Sequence, residues 1–226
     1  GRNGILLYAI LDESGSMGGV QDATIEGFNG FVSSQKAVKD LGEATLTTMK
    51  FDAPALHKLY VNRPINEVPL LNRETYQPRG GTNLNDAIGT AISDINNILS
   101  GLSEEKRPGV LVLIMTDGYE NSSQMFNATD VKNLVRSAQD QDWTFTFLGA
   151  NIDAFAVGNL YGFHGAAVAS YSVENTAHTH SVMSNMATGV RSAKMAGMHT
   201  HDIYATASMY SSKDRDEMLN GTKDAK

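Results

Sequence analysis

The sequence predicts an α/β fold of the Rossmann-like, doubly wound kind, with a mostly parallel sheet and helices on both faces. Two observations carry that expectation. Apolar, strand-like runs alternate along the chain with stretches of helical periodicity, the pattern of strand–helix–strand units. Two of the runs, Ile5 to Leu11 and Val110 to Met115, are continuously apolar, as strands covered on both sides are. At 226 residues the chain can bury one substantial core and stays below the roughly 250–300 residues at which cores divide.

Ile5 to Leu11 is the first strand. Val20, Thr24, Phe28 and Phe31 recur at helical spacing, so a helix continues towards Lys39, with Gly27 and Gly30 permitting close packing. Ala44 to Phe51 alternates between two faces, and Leu56 to Val61 returns beside it as a hairpin. From Asn62 to Gly81 the prolines at 64, 69 and 78 break regular structure. Leu84, Ile88, Ile92, Ile95 and Leu99 mark one face of the next helix. After the strand Val110 to Met115, Thr129 to Gln139 reads as helix and Thr144 to Leu148 as strand. Ala154 to Tyr161 is then a short helix, Ala166 to Ala169 a last short strand and Val182 to Met195 the closing helix. The expected domain is 1–196, followed by a polar C-terminal extension or tail over 197–226; its part from Tyr210 on is weakly periodic, a tail or a marginal helix, and Ser208 to Lys226 is expected to be dispensable for folding.

A formal net charge of −7 and a pI near 5.3 disfavour nucleic acid and anionic membranes, which require clustered Lys and Arg. No apolar run approaches the roughly 20 residues of a membrane span. The absence of cysteine excludes disulfides and thiolate metal sites. No basic segment with a cleavage site precedes the first strand, so the expected setting is cytoplasmic, and the Asn-x-Ser/Thr triplets at Asn121, Asn127 and Asn220 are uninformative.

Three loops carry polar chemistry: "DESGS" at Asp12 to Ser16, "RGGTNL" at Arg79 to Leu84 and "TDGYEN" at Thr116 to Asn121. If the first and fourth strands are neighbours, the loops converge at the carboxyl ends of the strands, where doubly wound sheets collect functional groups. What converges is oxygen, from the carboxylates of Asp12 and Asp117 and the hydroxyls of Ser14, Ser16 and Thr82. Hard divalent cations take such ligands, and Mg²⁺ holds near-octahedral geometry while keeping some waters. Alternation along an extended chain would aim Asp12, Ser14 and Ser16 the same way. The plainer alternatives are a turn-capping Asp12 and a Thr82 that caps the following helix. Glu13, Gly81, Asn83, Glu120 and Asn121 flank these positions, either supporting them, touching a partner or forming solvated loop.

Taken together, these residues resemble the metal-ion-dependent adhesion site of von Willebrand factor A domains. That pattern is Asp-x-Ser-x-Ser after the first strand, a threonine in a later loop and an aspartate after the fourth strand. It is matched at Asp12, Ser14, Ser16, Thr82 and Asp117 without substitution, within a resemblance spanning roughly Ile5 to Met195. The resemblance implies a six-stranded sheet with one antiparallel edge strand. It also implies Mg²⁺ or Mn²⁺ as cofactor, with Asp12, Ser14 and Ser16 closest and Thr82 and Asp117 binding directly or through water.

The function so implied is a non-enzymatic protein-binding module whose metal engages an Asp or Glu of a partner. Because a stable interface buries about 1,200–2,000 Å², residues 18–21, 72–78 and 119–126 would supply the selectivity. Short cysteine-free domains of this kind act inside bacterial or phage systems, so an AAA+ ATPase or an assembly component is an implied partner, with association to a virion if the chain is phage-encoded. The alternative is a structural or assembly subunit. A magnesium-dependent phosphotransferase of the haloacid-dehalogenase type fits less well. Its chemistry needs a carboxylate two residues after the first aspartate and a lysine for phosphate, whereas position 14 is Ser and no lysine stands in the three loops.

Two "HTH" stretches, His178 to His180 and His199 to His201, would each point an i, i+2 pair one way if extended, and with Asp202 would offer zinc ligands. The plainer expectation is solvated or helix-capping histidine. Met183, Met186, Met195 and Met198 read as helix packing.

Overall fold

The computed structural model describes residues 4–206 and 209–223; residues 1–3, 207–208 and 224–226, which include the expected tail's Ser208 and Lys226, lie outside them. Strands β1 (Ile5–Asp12), β2 (Ala44–Phe51), β3 (Leu56–Pro64), β4 (Gly109–Thr116), β5 (Thr144–Ala150) and β6 (Val168–Tyr171) form one six-stranded sheet in the order β3-β2-β1-β4-β5-β6. Every pair is parallel except β2 with β3, so the hairpin supplies the antiparallel edge. Pro64 is tolerated because β3 is an edge strand.

Helices α1 (Gln21–Ala37) and α5 (Thr176–Met195) cover one face, and α2 (Leu84–Ser100), α3 (Ala128–Asp140) and α4 (Ala154–Leu160) the other. Every residue of β1 is buried, and its alternate side chains enter different cores. Leu7 and Leu11 share one core with Phe28 and Val190, while Leu6 and Ile10 share the other with Ile88 and Ile92. The connections out of β1 and β4 leave for opposite faces, which opens the sheet between those strands at their carboxyl ends.

Two sequence expectations are corrected. The closing helix begins at Thr176, ahead of Val182, because Thr176, Thr179 and His180 bury against the domain despite their polarity. His178 and His180 are therefore helical, where an i, i+2 spacing separates rather than pairs two side chains. His178 Nε2 lies 2.9 Å from Glu217 and His180 is 1% exposed. His199 is the N-cap of α6 (Thr200–Tyr204), and neither pair gathers metal ligands among the described residues.

The C-terminal segment is not a loose tail. After α6 comes α7 (Ser212–Asn220), opened by a capping box of Ser211 and Asp214. Ile203, Tyr204, Met209, Tyr210 and Met218 are buried in the same core as α1 and α5. Tyr210 Oη meets Thr146 Oγ1 at 2.6 Å, Ser172 N donates to Met218 O at 2.9 Å and Arg215 Nη1 donates to Val168 O at 2.6 Å. The last two bonds satisfy backbone groups at β6 that an open sheet edge would expose. Charge content hid this, since the apolar residues that dock are few but large.

Candidate metal centre

β1 ends in Asp12, and the chain then turns through a 3₁₀ segment, Gly15–Val20, into α1. The tight turn, rather than extended alternation, brings Ser14 and Ser16 together: their Oγ atoms are 3.2 Å apart. Asp12 Oδ1 accepts from Ser14 N at 2.7 Å, and Oδ2 accepts from Thr116 Oγ1 at 2.7 Å and from Asp117 N at 3.3 Å. Ser16 Oγ donates to Asp117 Oδ1 at 2.8 Å. The first and third loops thus meet across the β1–β4 boundary.

The second loop is placed by backbone. Gly15 N donates to Gly80 O at 3.1 Å and Arg79 N to Glu13 O at 2.8 Å. Gly80 has φ +67°, and a Cβ on it would lie 2.0 Å from Asp52 O, so only glycine carries the chain this close. Thr82 is buried, with Oγ1 3.2 Å from where Gly118 would bear a Cβ, which puts its hydroxyl beside the Asp117 loop.

The flanking residues hold the loops from behind. Thr82 N donates to Asn121 Oδ1 at 2.9 Å, and Asn121 N returns a bond to Thr82 O at 3.0 Å. Glu120 accepts from Leu84 N at 2.9 Å and Ser123 N at 2.7 Å, so its carboxylate stands at the amino end of α2, where the helix dipole favours negative charge. Thr82 does not cap α2, whose N-cap is Asn83; that side chain is buried and binds Ala53 N and Ala55 O. A Cβ on Gly81 would press on Ser122 Oγ at 2.6 Å. Glu13 is fully buried, salt-bridged to Lys50 at 2.8 Å, and accepts from Gln77 N at 2.7 Å, so it is inaccessible to a partner.

Three contributors escaped the sequence reading. Thr116 orients Asp12 through the bond above, and its position directly before Asp117 was the available signal. Tyr76 Oη donates to Asp12 O at 2.5 Å. Asp86 accepts from the backbone N–H groups of Gln124, Met125 and Phe126, fixing the far part of the β4–α3 loop.

Among the described residues no Lys, Arg or His pairs with Asp12 or Asp117. Burial, and then the neighbouring Asp12 charge, push the Asp117 carboxyl up to about 6. A donor set of two carboxylates and three hydroxyls, with no protein cation to balance it, fits a hard divalent ion and poorly fits a soft one. In this arrangement Asp12 and Asp117 would hold the ion with Ser14, Ser16 and Thr82.

No protein-family model and no curated protein matches the sequence. Solved structures do match in fold. Proximal thread matrix protein 1 from the mussel byssus, solved with a zinc-occupied MIDAS motif, aligns with a TM-score of 0.55 at 13% identity, over 82% of this chain and 48% of that one. Manganese-loaded TRAP protein of Plasmodium vivax gives 0.52 at 17% identity, over 78% and 72%. A von Willebrand factor type A protein from Catenulispora acidiphila gives 0.51 at 16%, over 82% and 43%. The chain therefore spans less than half the length of the mussel and Catenulispora proteins. With this strand order, the antiparallel β3 edge and the three loops meeting beyond β1 and β4, the chain has the von Willebrand factor A fold.

Proposed function

We propose that the chain is a non-enzymatic, metal-dependent protein-binding module, in which Mg²⁺ or Mn²⁺ held by Asp12, Ser14, Ser16, Thr82 and Asp117 engages an acidic side chain of a partner. The observation that carries this reading is the uncompensated pair Asp12 and Asp117 among three hydroxyls. When bound, the metal supplies an electropositive point for an anionic ligand, since hydroxyls add no charge and two carboxylates at most neutralise a dication. Metal bound to the fold also stabilises it by mass action.

The surroundings support a protein partner. Tyr119 and Met125 on the β4–α3 loop and Phe155 at the start of α4 are large, apolar and at least half exposed. Tyr119 Oη accepts from Asp153 N at 3.1 Å, which steadies that loop against the start of α4. Among the described residues, no helix is long and apolar enough to cross a membrane. Catalysis of phosphate transfer is disfavoured by Ser14, which cannot serve as a general acid, and by Lys50, whose ammonium is committed to Glu13. An AAA+ ATPase or an assembly component stays the proposed partner class.

The test compares proteins retained from native extract by wild type, by Thr82→Ala and by chelator-treated wild type, beside an assay against phosphomonoesters with Mg²⁺. Metal-dependent retention that weakens in Thr82→Ala, with no turnover, is the expected result. Turnover lost in Asp12→Ala would make the chain an enzyme, and equal retention in all three samples would make it a structural subunit.

A further inference from the structure

Among the described residues, Thr24 Oγ1, Tyr171 Oη and both ring nitrogens of His180 are buried without a hydrogen-bond partner. The Thr24 hydroxyl lies near that of Tyr76 but makes no bond of good geometry with it. Thr24, Tyr171 and His180 all line one cavity, which Leu11, Asp12, Met17, Met115 and Thr176 complete. About 10 Å³ of it is open to the centre of a water molecule, which matches the roughly 10–15 Å³ that one buried water requires.

The three residues belong to α1, β6 and α5, and each is at most 3% exposed. Orphaned buried polar groups are rare and strongly disfavoured, and where several face one polar space, ordered water satisfies them. The His180 ring cannot turn to another partner. It stands edge-on to Phe28 at 6.3 Å and fills the notch left by Gly27, where a Cβ would lie 2.6 Å from its Cδ2. Burial holds this imidazole neutral, its pKa lowered to about 4, so it offers one donor and one acceptor.

We propose that this cavity is a hydration site, in which one buried water hydrogen-bonded to His180, Tyr171 and Thr24 ties α5, β6 and α1 together beneath the metal-binding loops. The site stands on packing and polar satisfaction alone and does not depend on the protein-binding reading.

The test is a double-mutant cycle on the full chain with His180→Phe and Tyr171→Phe, joined to NMR detection of a long-lived internal water near His180. Tyr171→Phe keeps its ring and removes only a hydroxyl, whereas His180→Phe exchanges the imidazole for a larger apolar ring, so the coupling between the two changes, more than either loss alone, reports the shared water. Each single change is expected to lower Tm by about 2–4 °C, and the double variant to lose little more than the worse single, because both give up the same water. The water signal should vanish in the double variant. A Tm that is unchanged or raised in the singles, additive losses in the double, or no long-lived water in wild type would each overturn the hydration site.

Discussion

Asp12 and Glu13 are consecutive residues at the end of β1, yet they belong to two clusters that handle buried negative charge differently. Glu13 meets Asp52 and His57, with ligand atoms all within 4.8 Å of one another, close enough for distance alone to suggest a metal. That cluster is already neutral. Lys50 binds Glu13 at 2.8 Å and Arg79 Nε binds Asp52 at 2.6 Å, so two carboxylates face two permanent cations, and His57 adds a contact of 3.3 Å to Asp52. Around Asp12 and Asp117 stand hydroxyls instead, which coordinate without neutralising. A dication added to the first cluster would leave uncompensated positive charge, whereas added to the second it balances what is there. Charge balance, more than proximity, separates a candidate metal site from an internal salt-bridge network.

The largest expected effect lies outside both clusters and calibrates them. Ending the chain at residue 205 removes the buried side chains of Met209, Tyr210 and Met218, each of the size worth about 1.5–3 kcal/mol of burial. Urea denaturation should show a loss of several kcal/mol, and a Tm unchanged within error would mean that α7 docks without consequence. Next, Lys50→Met strands Glu13 in the interior and should cost about 3–5 kcal/mol, with no rescue by Mg²⁺. A variant as stable as wild type would show that the first cluster is not held by internal pairing.

A smaller effect is a pH dependence confined to the second cluster. The Asp117 carboxyl, raised from 3.8 to about 6 in the metal-free fold, releases its proton later than in the unfolded chain. Its contribution is therefore whole below about 3.8 and lost as pH rises through about 6. The stability of Asp117→Asn relative to wild type, both free of metal, should accordingly grow between pH 4 and 7, and added Mg²⁺ should reverse that trend. A difference that stays flat across this range would show that neither burial nor the Asp12 charge raises the Asp117 carboxyl.

The sheet and most of its helices were legible in the sequence because they follow from periodicity: continuous apolar runs for β1 and β4, and Leu84 to Leu99 on one face of α2. The meeting of the three loops that carry Asp12, Ser14, Ser16, Thr82 and Asp117 was legible too, because the loops follow or precede those elements. The start of α5 was not, since "NTAHTH" presents polar side chains whose burial depends on α1 across the domain. For α7 the composition misled, as Met218 has its burial decided by contacts from β6 that no local pattern reveals. Lys50 and Arg79 lie 37 and 66 residues from Glu13, and only the sheet register and the Gly80 turn bring them beside it. The neutrality of that cluster was therefore invisible to any reading of the three loops.

Calorimetric titration of Mn²⁺ and Mg²⁺ into wild type, Asp12→Asn and His57→Gln, all as the folded full chain, puts the comparison to its most direct test. The account predicts binding of a single ion to wild type, unchanged in His57→Gln and abolished in Asp12→Asn. Binding retained by Asp12→Asn but lost in His57→Gln would place the metal in the Glu13–Asp52 cluster and contradict it.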